Sequence, residues 1–213
     1  MNDTFRHKGL RKILVEEIKE KGIKDERILD AINSIPRHLF MDNAFVQFAY
    51  QDKAFPIGSE QTISQPYTVA FQTELLEVNP NDKILEIGTG SGYQAAVLKH
   101  LEADVYTIER QKDLFLKTQD FLPEIGYNCH FFFGDGYEGV PNFAPFDKII
   151  ITCGALEIPD KLIDQLKIGG RMVAPIGDRD VQTMHLIKKV SENNVETTTH
   201  GEFAFVPMLN NKS

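Results

Sequence analysis

Only two cysteines, Cys129 and Cys153, occur in the 213 residues, well apart from each other. That is too few for a disulfide framework, and both are expected to be buried free thiols. No apolar run approaches the roughly 18 residues that a membrane-spanning helix needs. The opening MNDTFRHKGL holds no apolar core of a secretory signal, so the cytoplasm is the expected location, with no membrane partner. Positive charge is scarce: 23 Lys and Arg against 31 Asp and Glu leave a net charge of −8. This balance argues against a sequence-independent grip on nucleic acid, which requires a basic surface. The six histidines, at 7, 38, 100, 130, 185 and 200, are scattered and lack spacing such as H-E-x-x-H. No metal site is therefore expected. A G-K-[S/T] phosphate loop is also missing, which excludes Walker-type nucleotide binding.

What is present suits one globular domain, expected to be monomeric. Hydrophobic residues make up 42% and charged residues 25%, ordinary values for a chain long enough to bury its own core. The N-terminal part, residues 1–80, reads as a helical extension. Leu10, Ile13, Leu14 and Ile18 recur at helical spacing, and Gly22 offers a stop. Asp25 can cap a second helix carrying Ile28, Ala31, Ile32 and Ile35, which Pro36 ends. Residues 37–65 show no clear period, but Phe40, Phe45, Phe48, Tyr50 and Phe55 make them an irregular segment packed on the core. Pro66 suits the first turn of a third helix, with Tyr67, Ala70, Phe71, Leu75 and Val78 on its apolar face.

From residue 81 the pattern becomes strand, helix, strand. KILEI (83–87), DVYTI (104–108), CHFFF (129–133), DKIIIT (147–152) and RMVAPI (171–176) are short apolar strands, of the kind buried on both faces of a parallel sheet. Helices are expected after the first strand to about Leu101, at roughly 112–122 and at 158–166. Residues 182–190 and a stretch near 195–206 read as two more strands. The short turn at 177–180 permits an antiparallel hairpin but no helical crossover. The fold class is α/β: a doubly wound, mostly parallel, seven-stranded sheet with an antiparallel C-terminal element.

The chemistry-bearing segment is Glu86-Ile87-Gly88-Thr89-Gly90-Ser91-Gly92, between the first strand of this core and its helix. Glycines there let the backbone turn tightly and let a ligand approach the main chain. The same triplet also serves as a plain strand-to-helix turn. Two further features favour a ligand. Glu109 ends the second strand about 20 positions on, where an acid pairs with ribose hydroxyls. Gly134-Asp135-Gly136 follows the third strand, where an aspartate can accept from an adenine amino group, although Asp and Gly also favour simple turns. The spacing G-x-G-x-G departs from the dinucleotide fingerprint G-x-G-x-x-G. S-adenosylmethionine, with ribose, adenine and an amino-acid tail but no phosphate, is the favoured cofactor.

At this point ILEIGTGSGYQAAVL (84–98), Glu109 and GDG (134–136) resemble the Rossmann-like methyltransferases. More specifically, PIGSEQTISQPYTVA (56–70) resembles the signature of the protein-L-isoaspartate O-methyltransferase family. IPRHLF (35–40), APFDKIIIT (144–152), EIPDKLIDQLKIGGRMVAPIG (157–177) and FAFVPM (203–208) match in the same order. The resemblance implies transfer of a methyl group from S-adenosylmethionine to the free α-carboxylate of L-isoaspartyl residues in damaged proteins. The product S-adenosylhomocysteine is released and the ester collapses through a succinimide. It implies Ser64 as the active-site residue. Glu86, Gly88, Thr89, Gly90, Ser91, Gly92, Glu109, Arg110, Asp135 and Gly136 would line the cofactor site, and Thr62, Ile63, Ser64, Val206 and Pro207 the substrate peptide. Two positions depart from the family pattern: Glu60 stands where a small residue, most often glycine, is usual, and Cys153-Gly154 where two alanines are common.

A carboxylate nucleophile with a pKa of roughly 3.3–3.9 is already ionised at neutral pH. Such a reaction needs alignment and exclusion of water, and no strong base, so the lack of a His–Asp pair fits. Ser64 could donate one hydrogen bond to that carboxylate. From its position alone it could equally cap the helix that begins at Pro66. Three alternatives remain open on the residues alone: a methyltransferase of this fold acting on a small molecule or RNA, an NAD-dependent oxidoreductase, and a non-catalytic S-adenosylmethionine sensor.

Overall fold

Five apolar segments of the core pair side by side in the computed structural model, which describes residues 3–178 and 180–211. They are β3 (Lys83–Ile87), β4 (Asp104–Glu109), β5 (His130–Phe133), β6 (Phe146–Ile151) and β7 (Leu166–Gly177), all parallel to one another. Antiparallel β8 (Gln182–Ser191) and β9 (Asn194–Phe203) complete a seven-stranded sheet of order β5-β4-β3-β6-β7-β8-β9. This is the expected doubly wound sheet with its antiparallel end. The chain runs outward through β4 and β5 on one side of β3, then returns to β6 on the other. The junction of β3 and β6 is therefore the topological switch point, where such sheets open a crevice at their carboxyl ends.

The helices are α1 (Phe5–Glu20), α2 (Glu26–Ser34), α3 (Pro66–Leu76), α4 (Tyr93–His100), α5 (Lys112–Glu124) and the short α6 (Asp160–Asp164). Leu14 and Ile18 of α1 and Ile28 and Ile32 of α2 share one buried cluster with Ile84, Val105 and Val173 of the sheet. The N-terminal extension is thus built onto one face of the sheet. Leu85, Ile87, Ile149 and Ile151 point the other way into a second cluster, as alternation along a strand requires.

Several local expectations need correction. Ile13 is 67% exposed, while Arg11, Leu14 and Ile18 are buried. At about 100° per residue those three lie within one sector of α1, and Ile13 points some 130° away from its centre. Val78 lies beyond α3, which ends at Leu76 with Glu77 in a left-handed cap (φ 54°), although Val78 is still buried. Ser64 is not the N-cap of α3: Gln65 holds that position and makes no side-chain cap bond. The α6 helix is shorter than 158–166, β7 begins earlier than 171, and β9 stops at Phe203. Cys129 precedes β5, and both cysteines are free but only partly buried. The 177–180 turn includes residue 179, which lies outside the described residues.

Residues 37–65 are irregular in part, with 3₁₀ turns at Arg37–Phe40 and Val46–Phe48, but they also contain an antiparallel hairpin of β1 (Phe55–Gly58) and β2 (Gln61–Ile63). Its turn residues Ser59 and Glu60 both have positive φ, 49° and 56°. Hairpin turns of that hand are where glycine or asparagine is at ease. Glycine at position 60 would suit this backbone, and Glu60 adopts it at a conformational cost.

Candidate active site

The cavity at the switch point is lined from six stretches of chain, within 61–69, 87–94, 108–110, 136, 152–153 and 206–209. Counted out to the mouth, open solvent included, its empty space is about 770 Å³. The glycine loop leaves β3 and crosses beneath β4, with the Gly88 and Thr89 amides both donating to the Ile108 carbonyl, at 2.9 and 3.3 Å. Gly88 has φ 94°, and a Cβ there would lie 2.7 Å from the Thr152 hydroxyl oxygen at the end of β6. A side chain would therefore collide with the neighbouring strand at the point where the crevice opens. Gly92 has φ 83°, and a Cβ there would come within 2.7 Å of Thr118 and 2.8 Å of Leu122 on α5.

Glu109 ends β4 at the cavity wall and is 5% exposed. Its Oε2 accepts the Gly90 amide at 2.9 Å and its Oε1 the Gln111 amide at 2.8 Å. Each carboxylate oxygen can accept a second hydrogen bond, so the backbone fixes the group while leaving two acceptor positions. Arg110 also lines the cavity, and its Nε donates to the Asn211 carbonyl at 2.8 Å, tying the C-terminal tail to the end of β4.

Of the residues expected at the site, Thr62, Ile63, Ser64, Gly88, Thr89, Gly90, Ser91, Glu109, Arg110, Gly136, Val206 and Pro207 share this wall. Glu86, Gly92 and Asp135 stand behind it. Glu86 is fully buried in β3, where its Oε2 accepts from Thr107 Oγ1, itself 2.6 Å from Thr89 Oγ1. Its Oε1 has no partner among the described residues. Burial pushes the Glu86 carboxyl up to about 8; the Thr107 bond opposes this and the Glu109 charge adds to it. The Asp135 carboxylate accepts from the Tyr137 amide at 2.9 Å and the Asn211 amide at 2.6 Å, which turns it towards the chain that carries Gly136.

Several wall residues fall inside the matching segments without having been assigned a role: Tyr93, Gln94, Thr152 and Met208 among them. Thr152 lies where β6 ends beside the glycine loop, and its hydroxyl donates to the Ile87 and Gly88 carbonyls at 2.9 and 2.7 Å. Its place at the end of the 144–152 match was its sequence signal. Cys153 is beside it, and burial pushes its thiol up to about 12, which keeps it protonated and a poor nucleophile. The tail closes the cavity because the Gly154 amide donates to the Val206 carbonyl at 2.8 Å and the Met208 amide to the Gly154 carbonyl at 2.7 Å.

A second hollow adjoins the first and shares Thr62, Ser64, Thr152 and Val206 with it. Tyr67, Phe203 and Phe205 give it apolar walls, and Lys21 and Glu202 lie at its rim. Neither hollow is lined by a histidine.

Packing also brings together Asp3, His7 and His38, whose candidate ligand atoms lie within 4.8 Å of one another. No spacing in the sequence marks this cluster. The Asp3 carboxylate there receives the Arg11 guanidinium through two bonds of 2.8 Å, and the Thr4 amide donates to His7 Nδ1. None of these residues lines the cavity.

The family model described as protein-L-isoaspartate(D-aspartate) O-methyltransferase matches residues 9–213. Curated proteins named protein-L-isoaspartate O-methyltransferase from Christiangramia forsetii and Flavobacterium johnsoniae are 57% and 58% identical, over the full length of this chain and of each relative. A solved structure named protein-L-isoaspartate O-methyltransferase superposes with a TM-score of 0.85 at 31% identity, covering 94% of this chain, which spans only 66% of that one. A Plasmodium falciparum structure described under the same activity, in complex with S-adenosyl-L-homocysteine, shares the fold with a TM-score of 0.80 at 23% identity over 96% of this chain and 99% of that one.

Proposed function

From the premise that the chain belongs to the protein-L-isoaspartate O-methyltransferase family, we propose the crevice at the β3–β6 switch point as the place where its reaction runs. The chain is an S-adenosylmethionine-dependent enzyme that methylates the free α-carboxylate of L-isoaspartyl residues in damaged proteins and peptides. The observation that carries the site is the meeting of two hollows at Thr62, Ser64, Thr152 and Val206. A methyl group must pass from a cofactor in one to a peptide in the other.

The cavity suits S-adenosylmethionine on its donor set. It offers close-approach backbone at Gly88 and Gly90 and a fixed carboxylate at Glu109, with no cradle of phosphate-binding lysines. When bound, that cofactor supplies an electrophilic methyl group on a sulfonium. Glu109 holds the ribose through its two remaining acceptor positions. Gly136 and Arg110 form the adenine end, and Asp135 shapes the turn there by gripping two amides. Gly88, Thr89, Gly90 and Ser91 hold the amino-acid end, with Glu86 steadying Thr89 through Thr107. Gly92 lets the loop pass close over α5.

Ser64 donates one hydrogen bond to the substrate carboxylate, and Thr62, Ile63, Val206 and Pro207 flank the peptide. An already ionised nucleophile leaves these residues the tasks of alignment and exclusion of water, which can account for several kcal/mol, up to about 7–11 in well-oriented systems. Residues 1–80 supply the substrate-side wall of a single domain whose cofactor core is 81–213. A monomer in the cytoplasm with no nucleic-acid partner completes the reading. The charge of −8 supports the last point, and no helix among the described residues is long and apolar enough to cross a membrane.

The test is incubation with labelled S-adenosylmethionine and an isoaspartyl peptide beside its aspartyl twin. Methylation is expected on the first alone. A hydrogen bond to a charged group contributes about 1.5–3 kcal/mol, so Ser64→Ala is expected to lower kcat about 10- to 100-fold with cofactor binding unchanged. Full turnover by that variant would remove the role given to Ser64.

A further inference from the structure

The segment that carries Ser64 makes little regular structure of its own, yet it is gripped from two sides by groups far away in the chain. Arg37 is fully buried. Its Nη1 donates to the Ala49 carbonyl at 2.8 Å, and its Nη2 donates to the Lys53 carbonyl at 3.1 Å and the Ser64 carbonyl at 3.0 Å. Between the first two of those carbonyls in the chain stands Asp52, whose side chain is 2% exposed. Its Oδ1 accepts the Tyr67 amide at 2.7 Å, which supplies the cap that α3 does not obtain from Gln65. Its Oδ2 accepts from Gln65 Nε2 at 2.9 Å and from Lys21 at 2.6 Å. One guanidinium therefore holds both Ser64 and the loop whose aspartate holds the two residues around Pro66.

We propose that Arg37 is a positioning residue for the methyl transfer, setting the place of Ser64 through this clamp, with Asp52 as its second jaw. The proposal rests on the role given to Ser64 above. Burying a guanidinium without a carboxylate directly on it is costly, and a well-packed apolar side chain would fill such a space at less cost in stability. The desolvation pulls the Arg37 pKa down to about 10, and its Nε finds no partner among the described residues. What the charge secures is geometry. Three carbonyls from two separate stretches converge on one planar fork, and lysine, with a single point of charge, cannot reproduce that arrangement. The guanidinium also lies 5.9 Å from the ring centre of Phe55 and 5.7 Å from that of Tyr93. Tyr93 belongs to the cavity wall. The clamp thus has the cofactor side of the crevice as its backstop and the substrate side as its load.

The experiment compares wild type, Arg37→Lys and Asp52→Asn, each with and without Ser64→Ala. It measures kcat and KM with an isoaspartyl peptide, the S-adenosylmethionine Kd by calorimetry, and amide exchange across residues 62–68. Displacement of a reacting group by about 1 Å can cost up to 100-fold in rate. Arg37→Lys is expected to lower kcat about tenfold or more, to leave the cofactor Kd within about threefold, and to speed exchange in 62–68. In the Ser64→Ala background the same change is expected to cost little further. An equal loss in both backgrounds, or unchanged exchange in 62–68, would overturn the proposal. A merely structural role would lower Tm and leave kcat per folded molecule intact. Full turnover by Ser64→Ala alone would remove the Ser64 role, while the exchange result would still decide whether Arg37 places the segment. Should Arg37→Lys fail to fold, Asp52→Asn carries the same comparison from the other jaw.

Discussion

Replacing Glu86 with glutamine is expected to change how stability depends on pH. Glu86 lies wholly inside the sheet, and burial raises its carboxyl from 4.5 to about 8 in the folded protein. A group whose folded pKa is raised contributes stability through the proton it keeps. That contribution is fully present below about pH 4.5 and is lost as the pH climbs towards 8. Each unit within that window is worth about 1.4 kcal/mol, so between pH 5 and 7 the wild type is expected to lose about 2.5 kcal/mol relative to Glu86→Gln. Glutamine keeps an acceptor for the Thr107 hydroxyl and titrates nowhere in the range. Differences in packing shift the whole curve equally and cancel from the slope. Urea unfolding of both proteins at half-unit steps from pH 4.5 to 8.5 reads the difference directly. Parallel profiles would show that Glu86 ionises normally inside the sheet and would refute the reasoning.

His38 supplies the opposite slope. Burial, with the nearby His7 adding to it, lowers its pKa from 6.5 to about 4, so the stability it carries is present above 6.5 and lost as the pH falls towards 4. Between pH 7 and 5 the wild type is expected to lose about 1–2 kcal/mol relative to His38→Asn, read by the same urea titrations, and equal curves would contradict it. Gly92→Ala is expected to destabilise by about 1–3 kcal/mol, because φ there is 83° and the added methyl would press on Thr118 and Leu122. A Tm equal to that of the wild type would count against the close approach of the loop to α5.

Much of the fold was legible because its signals are local. The Ile149–Ile151 run can only be an interior strand of a covered sheet, and Pro66 marks the first turn of a helix wherever that helix packs. Glu109 was legible through spacing, since one helix and one strand separate it from the glycine loop. Ile13 was misjudged because periodicity shows that a stripe exists without fixing which flank of it faces the core. The β1–β2 hairpin was missed because Ser59 and Glu60 hold a turn that sequence signals assign to glycine or asparagine. Ser64 was open to the capping role because nothing near it in the chain announces Asp52, the group that takes over that task from a distance.

The sequence alone determined the sheet, the glycine loop, the acid that ends β4 and the family, since each depends on residue type and short spacing. The tertiary structure alone decided which of those residues face the crevice. It put Thr152 and Val206 beside Ser64, turned Asp135 and Glu86 away from the wall, and set Arg37 behind the serine. The reason is physical. Local propensity acts within a turn or a strand, whereas a buried carbonyl, carboxylate or guanidinium must find its partner wherever folding brings one, at any distance along the chain.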